Sequence, residues 1–537
     1  MASPVVGFAS RLLANGARAV RLAGRGLERR AKANALWLLV PLGADVGERG
    51  RAAFGTNRDA GLSFLELLQS LERVAEDPRI SGVLLRFQGT GPHRFNQAAA
   101  LRRRVDRLRE AGMPVVAWAE SLTAAQLWIA SGADSVWLPE SGVVQLVGLR
   151  TEQFFLKDLL DKLDVEPEVV HVGRYKSAGE IATRRSMSPE QREQSEAWLT
   201  DLYRELVDAI GTGRGLESGE VRERIDRGPY AAGAAREAGL IDGFLYADEL
   251  EEALRPFSRG GDTSRDVAFL DLASYLGRVV ADPGWRPLLR HLPKLAYVVA
   301  TGNVLRGTSR RGIGSVPVSR LLARVREDDG TAGVVLRVDS PGGDAVASDL
   351  LYRAVELTAQ EKPVVVSMGE VAASGGYYLA AAAHAIWIEP GSLTGSIGVV
   401  GGKVNLEGLY RRLGIGRDAV EMGDRAGLFS EARGFTPDER RAVGDEMQAL
   451  YDVFLKRVAA GRGLDVDAVE RVAGGRVWSG RTALDVGLVD GLGGPLEAID
   501  DARRRAGIGD GERYQLDILP RRPFLPDLRA MLMGAEV

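Results

Sequence analysis

The stretch GEVAASGGYYLAAAAHAIWIEP (369–390) lies over AESLTAAQLWIASGADSVWLPE (119–140) at an offset of 250 positions. Glu370 meets Glu120, Trp387 meets Trp137 and, beyond the quoted run, Gly398 meets Gly148. A period of this length is that of whole domains, and 537 residues exceed what one hydrophobic core usually supports. The chain therefore reads as two diverged copies of one unit. At the same offset Ser374 of the second copy faces Ala124, and Lys176 of the first faces Ala426, so neither copy carries both groups.

Working outward, each copy alternates short apolar strands with helical stretches, the pattern of βαβ units and a mostly parallel sheet. The second copy has strands at 295–302, 333–339, 363–368 and 385–390, with helices near 346–360 and 375–384. The first repeats them at 36–43, 82–88, 114–119 and 135–140, with helices near 64–76 and 97–111. Each copy then runs into a helical arm, LYRELVDAIGTGRGL (202–216) and LYDVFLKRVAAGRGL (450–464), and a matching closure, AGLIDG (238–243) and VGLVDG (486–491). The predicted organisation is a basic leader (1–33), a first domain (34–255), a connector (256–292) containing Gly260, Gly261, Pro283 and Pro287, a second domain (293–507) and a peripheral tail (508–537).

Composition narrows the chemistry. With 70 basic and 73 acidic residues the net charge is −3, which gives no general attraction to nucleic acid. There is no cysteine, so thiolate catalysis, disulfides and Cys-ligated metals are excluded. His93, His171, His291 and His384 are scattered without metal-ligand spacing, and neither a metal nor any other cofactor is expected. The apolar run ALWLLVPLGA (35–44) is about half of the roughly 20 residues that cross a bilayer and contains Pro41, so it reads as a core strand. Residues 1–33 are rich in Arg on a Leu, Val and Ala background. They fit either a membrane-surface helix or an unstructured basic leader, since Gly7, Gly16, Gly24 and Gly26 each weaken a helix.

Ser374 follows a buried strand and opens an apolar helix, so backbone N–H groups and the positive helix end point towards its hydroxyl. Small residues at such a turn are also ordinary packing. Two neighbours favour chemistry. DSPGGD (339–344) offers glycine N–H groups of the kind an oxyanion hole uses, and its counterpart FQGTGPH (87–93) has lost the Gly pair together with the serine. A serine also needs a base; no histidine stands in a recognisable motif, and a lysine serves if burial depresses its pKa. Lys176, in VGRYKSAGE (172–180), is a candidate, although a lone loop lysine is ordinarily a solvated charge.

The pieces GRYKSAGE (173–180), DSPGG (339–343), GEVAASGGYYLA (369–380), TGSIGVVG (394–401) and GRVWSGRTALDVGLVDGLGG (475–494) together resemble the long, duplicated form of the signal peptide peptidase A family, over roughly residues 34–505. The resemblance implies two tandem ClpP/crotonase-like domains and a Ser–Lys serine endopeptidase, with Ser374 as nucleophile, Lys176 as general base and Ser396 orienting the lysine. It implies an oxyanion hole at Gly343, Gly342 and the N–H of Gly375. It also implies extended apolar peptides, such as released signal peptides, as substrates, a homotetramer, and a place on the bacterial cytoplasmic membrane. In this chain that contact would be peripheral, through residues 1–33. The sequence departs from the family at Gly179-Glu180-Ile181, where Glu-Pro-Phe is usual. Two other readings of the same fold are a crotonase-type acyl-CoA enzyme and a catalytically silent scaffold.

Overall fold

The computed structural model describes residues 31, 33–43, 46–48, 62–89, 94–261, 263–276, 292–309 and 311–520. Aliphatic runs without polar alternation become strands covered on both faces, as parallel sheets require. In the first copy these are β1 (Ala35–Leu42), β2 (Gly82–Phe87), β3 (Val115–Ala119), β4 (Ser121–Thr123), β5 (Ser135–Leu138), β6 (Val143–Gln145), β7 (Glu166–Val172), β8 (Tyr230–Ala231), β9 (Gly243–Phe244) and β10 (Val267–Asp271). The main sheet is parallel, in the order β10-β1-β2-β3-β5-β9, and β4-β6-β8 form a small second sheet. The helix Phe64–Ala75 starts at a Ser63–Glu66 capping box and buries Phe64, Leu67, Leu68, Leu71 and Val74.

The second copy contains β11 (Lys294–Thr301), β12 (Val304–Leu305), β13 (Ile313–Gly314), β14 (Thr331–Ser340), β15 (Val364–Ala373), β16 (Ala385–Ile388), β17 (Leu393–Gly395), β18 (Val399–Asn405), β19 (Val477–Ser479), β20 (Gly491–Leu492) and β21 (Gln515–Leu519). Its sheet runs β19-β17-β15-β14-β11-β21, with β16 on β15 and β20 on β16. β15 is a single long strand where the first copy has β3 followed by β4. Its first half pairs with β16 and its second half with β17, so one sheet here corresponds to two sheets in the first copy. The architecture is the expected tandem pair of α/β domains, each half a mostly parallel sheet with flanking helices and a helical arm.

Two boundaries differ from expectation. Val267–Asp271, inside the predicted connector, is β10 and pairs in parallel with β1. Gln515–Leu519, inside the predicted tail, is β21 and pairs in parallel with β11. They are equivalent last strands of the two copies. Each returns after a helix to cover the far edge of its sheet, a long-range pairing that a local hydrophobic pattern cannot reveal. The predicted leader lies, apart from residues 31 and 33, outside the described residues, as do Pro283, Pro287 and residues 90–93. Among the described residues no helix is long and apolar enough to cross a membrane.

The halves interlock. β7 of the first copy and β18 of the second form an antiparallel ladder from Val172–Val399 to Glu166–Asn405. The helix Pro189–Arg214, belonging to the first copy, reaches the second, where Trp198 donates to the Gly391 carbonyl (2.9 Å). Arg103 donates to Glu389 (2.7 Å) and Arg104 to Glu497 (2.7 Å) across the same boundary. Leu65 packs in one apolar cluster with Leu295, Val335 and Val365 of the second sheet.

Candidate active site

Ser374 and Ser396 sit immediately beyond neighbouring parallel strands, since Ala373 at the end of β15 is paired with Gly395 at the end of β17. Carboxyl ends of parallel strands are where open α/β sheets hold their ligands. β18, which begins three residues after Ser396, carries β7 alongside it, and Lys176 lies four residues beyond β7. The interdomain ladder is therefore what delivers the lysine to the serines.

The structure brings the three predicted residues together. Lys176 Nζ lies 3.1 Å from Ser374 Oγ, 3.0 Å from Ser396 Oγ and 2.9 Å from the Ser396 carbonyl oxygen. Lys176 is only 7% exposed. Burial pulls its pKa down to about 8, and burial is the one cause of that shift; no carboxylate charge offsets it. The amine is therefore easily neutral. A neutral amine has two hydrogens and one lone pair, which match donation to the two Ser396 oxygens and acceptance from the Ser374 hydroxyl.

Both serines are held in unusual backbone conformations. Among the described residues only Asp164, Ser374 (φ 53°) and Ser396 (φ 52°) are non-glycine residues with positive φ. Such conformations cost about 1–3 kcal/mol each and persist where the surroundings over-determine them. Ser374 caps the helix Gly375–Ala380, yet its side chain makes no capping hydrogen bond, which leaves Oγ to Lys176.

The expected oxyanion residues surround Ser374, with one correction. The N–H of Gly342 donates to Ser340 Oγ at 3.1 Å, so Gly342 is not an available donor. Its role is close approach: at φ 105° a side-chain Cβ there would stand 2.7 Å from Ser374 Cβ. Gly343 bridges to Val304 through bonds of the Gly342 carbonyl and the Asp344 amide, and its own N–H takes no part in them. Gly375 supplies the first N–H of its helix, one of those a helix leaves unbonded within itself. Gly343 and Gly375 are the donors that remain.

Several supporting residues are not evident from the sequence alone. Gly474 and Gly475 let the second copy close over the lysine loop: Tyr175 N–H donates to the Gly474 carbonyl (2.8 Å), and a Cβ at Gly475 would lie 2.6 Å from Lys176 Cβ. Buried Gln194 donates to the Tyr175 carbonyl (3.3 Å) and Ser177 Oγ (3.2 Å), and accepts from Val477 N–H (3.0 Å). It clamps both sides of Lys176 to β19. The Arg476 carbonyl accepts from Ser396 N–H (2.7 Å), while its guanidinium lies over the rings of Tyr175 and Trp478. The pair GG at 474–475 is the one signal that could have flagged this contact. Among the described residues no group of three or more His, Asp or Glu side chains is placed to hold a metal ion.

Residues 107–256 and 356–509 match peptidase family S49, one segment in each copy. The chain is 33% identical to "Serine protease SPPA, chloroplastic" of Arabidopsis thaliana, covering 88% of this chain and 70% of the relative. It is 30% identical to "Protease 4" of Haemophilus influenzae, covering 82% and 73%. It is 31% identical to "Putative signal peptide peptidase SppA" of Enterococcus faecium, over 35% of this chain and 55% of that one. The fold and the site thus define a peptidase of duplicated α/β construction. The chain belongs to peptidase family S49, the signal peptide peptidase A group.

Proposed function

We propose that this chain is a serine endopeptidase in which Ser374 is the nucleophile and Lys176 the general base. The observation that carries this is the buried amine within hydrogen-bond reach of a strained serine hydroxyl, with Ser396 oxygens as its other partners. Neutral Lys176 takes the Ser374 proton as Oγ attacks the scissile carbonyl. The N–H groups of Gly343 and Gly375 hold the oxyanion, and the lysinium returns the proton to the leaving amine. Water activated by the same amine then hydrolyses the acyl-enzyme. Because the base must be neutral, the rate rises with pH through about 8 and levels above it.

The substrates are extended, largely apolar peptides, signal peptides freed from their precursors among them. The working form is a homotetramer held at the membrane surface by residues 1–33. The same fold serves crotonase-type acyl-CoA enzymes, but such chemistry would leave the Ser374–Lys176 contact without a role. A fluorophosphonate probe tests the assignment: wild type should label at Ser374, while Ser374→Ala should not label and Lys176→Ala should label only slowly. Equal labelling of wild type and Lys176→Ala would remove the lysine as base.

A further inference from the structure

Asp339 opens the segment DSPGGD (339–344), whose glycines border Ser374, yet its own side chain is turned to the neighbouring strand and to the first copy. β14 and β15 keep one register from Val334–Val364 to Val338–Met368 and take up another at Ser340–Ala372. Three residues of β15, Gly369, Glu370 and Val371, therefore stand against Asp339 alone. A bulge of this kind leaves backbone groups unpaired and re-aims the strand beyond it.

The Asp339 carboxylate fills the gap. Its Oδ1 accepts from the Val371 N–H (3.1 Å), and a Cβ at Gly369 would stand 2.6 Å from Asp339 Cβ. Its Oδ2 accepts from Arg94 of the first copy (2.9 Å), and its carbonyl accepts from Gly302 N–H (2.9 Å) beside β11. A bulge amide left without such an acceptor would be costly away from water. The carboxylate thus ties both strands of the site to each other and to the first copy.

The consequence lies a few residues further on. Val371 precedes Ser374 by three positions, and Asp339 precedes Gly343 by four. How far β15 runs ahead of β14 decides where Ser374 stands against the glycine turn, and the margin is small: a Cβ at Gly342 would lie 2.7 Å from Ser374 Cβ and 2.8 Å from Gly375 N. In the first copy β2 and β3 keep one register from Val83–Val115 to Phe87–Ala119, and β4 goes to β6 instead. Gln88 stands there in place of Asp339, in the copy that has Ala124 in place of Ser374.

We infer that Asp339 is a positioning residue for the reaction: by fixing the bulge in β15 it sets the spacing of the Ser374 hydroxyl from the oxyanion donors. Arg94, holding the other carboxylate oxygen, makes this a second contribution of the first copy beside Lys176. The inference rests on the peptidase reading, and the test separates the two. End-point fluorophosphonate labelling of the full chain counts working sites, and turnover of a fluorogenic apolar peptide is taken per labelled site. Asp339→Ala should lower kcat per site by about 10²-fold, as small misplacement of reacting groups does. KM should stay unchanged and the pH–rate midpoint should remain near 8, since Lys176 keeps its surroundings. Asp339→Asn keeps an acceptor for Val371 N–H and should hold kcat within about fivefold of wild type. Arg94→Met should lower kcat by about two- to threefold, the worth of a partly exposed ion pair. Equal impairment of Asp339→Ala and Asp339→Asn would overturn the inference, because the acceptor at the bulge would then not matter. So would Asp339→Ala with wild-type turnover per site and only a lowered melting temperature. Should Asp339→Ala fail to fold, Arg94→Met decides alone, and undiminished turnover per site there overturns the inference. Absence of labelling in wild type would instead count against the peptidase reading.

Discussion

The turn at 123–126 and the turn at 374–376 descend from the same ancestor and do opposite things. In the first copy Thr123 caps its helix with ordinary extended backbone, accepting from Gln126 N–H, while Gln126 Nε2 donates to the Gly89 carbonyl. Every polar group at that turn is used to stabilise it. In the second copy the cap is Ser374 at φ 53°, its hydroxyl takes no capping bond, and Gly376 stands where the first copy has Gln126. A Cβ at Gly376 would lie 2.8 Å from the Ser340 carbonyl. One copy kept its capping bonds at this turn; the other gave them up and holds its hydroxyl 3.1 Å from the Lys176 amine.

Lys176→Met should break this contrast most completely. Turnover should fall by about 10⁴-fold or more, as when a member of a catalytic pair is lost, while the fold becomes more stable. The sign follows from burial: the folded pKa of about 8 lies below the ordinary lysine value of 10.5. Between those values the unfolded chain binds a proton that the native state lacks, so wild-type stability rises with pH there. Below pH 8 the full cost of burying the amine, about 3 kcal/mol, is present. Denaturant titration at pH 7 should find Lys176→Met more stable, with the gain shrinking towards pH 10.5. A variant less stable at pH 7 would show that the contacts to Ser396 outweigh burial.

Gly376→Gln installs the first copy's residue in the second. It should lower kcat by about 10²-fold or more by pressing on the Ser340 carbonyl and displacing Ser374, since small misplacement of reacting groups is costly. Unchanged kcat would mean that the close packing of Gly376 on Ser340 is not needed. Gln194→Ala should lower kcat by about tenfold and shift the pH–rate midpoint upward, because a loosened lysine loop admits water and relieves desolvation. Gln194→Glu should not restore the midpoint, whereas a stability loss without a pH shift would mark Gln194 as purely structural. The smallest effect is expected at Thr123→Ala, about 1 kcal/mol of stability with activity intact. Any sizeable loss of turnover there would mean the first-copy turn contributes to the site.

The duplication and the βαβ layering were legible in the sequence because they are local, apolar runs and paired motifs at a constant offset, whereas Lys176 and Ser396 stood out only through the family resemblance, a loop lysine and a turn serine having no local signature of their own. β10 and β21 were not legible, since their pairing partners lie far away in the chain and their own segments are short. A Gly pair looks alike in sequence at both positions, and the Ser340 hydroxyl, which accepts from the Gly342 N–H, is what sets Gly342 apart from Gly343. Gln194 carried no signal, being a polar residue in a long helix whose buried Leu202, Leu206, Val207 and Ile210 pack in the first copy's own core, while Gln194 itself meets β19 of the second.

The chain's own order of residues determined that one copy would hold an amine and the other a hydroxyl, and that neither copy holds both. What it could not determine is that they meet. That was decided by the β7–β18 ladder, a pairing between segments more than 200 positions apart, and by the glycines at 474 and 475 that let backbone close over the lysine. The physical reason is that a lysine's pKa and a serine's reactivity are properties of surroundings. Burial and strain exist only once distant parts of the chain have packed.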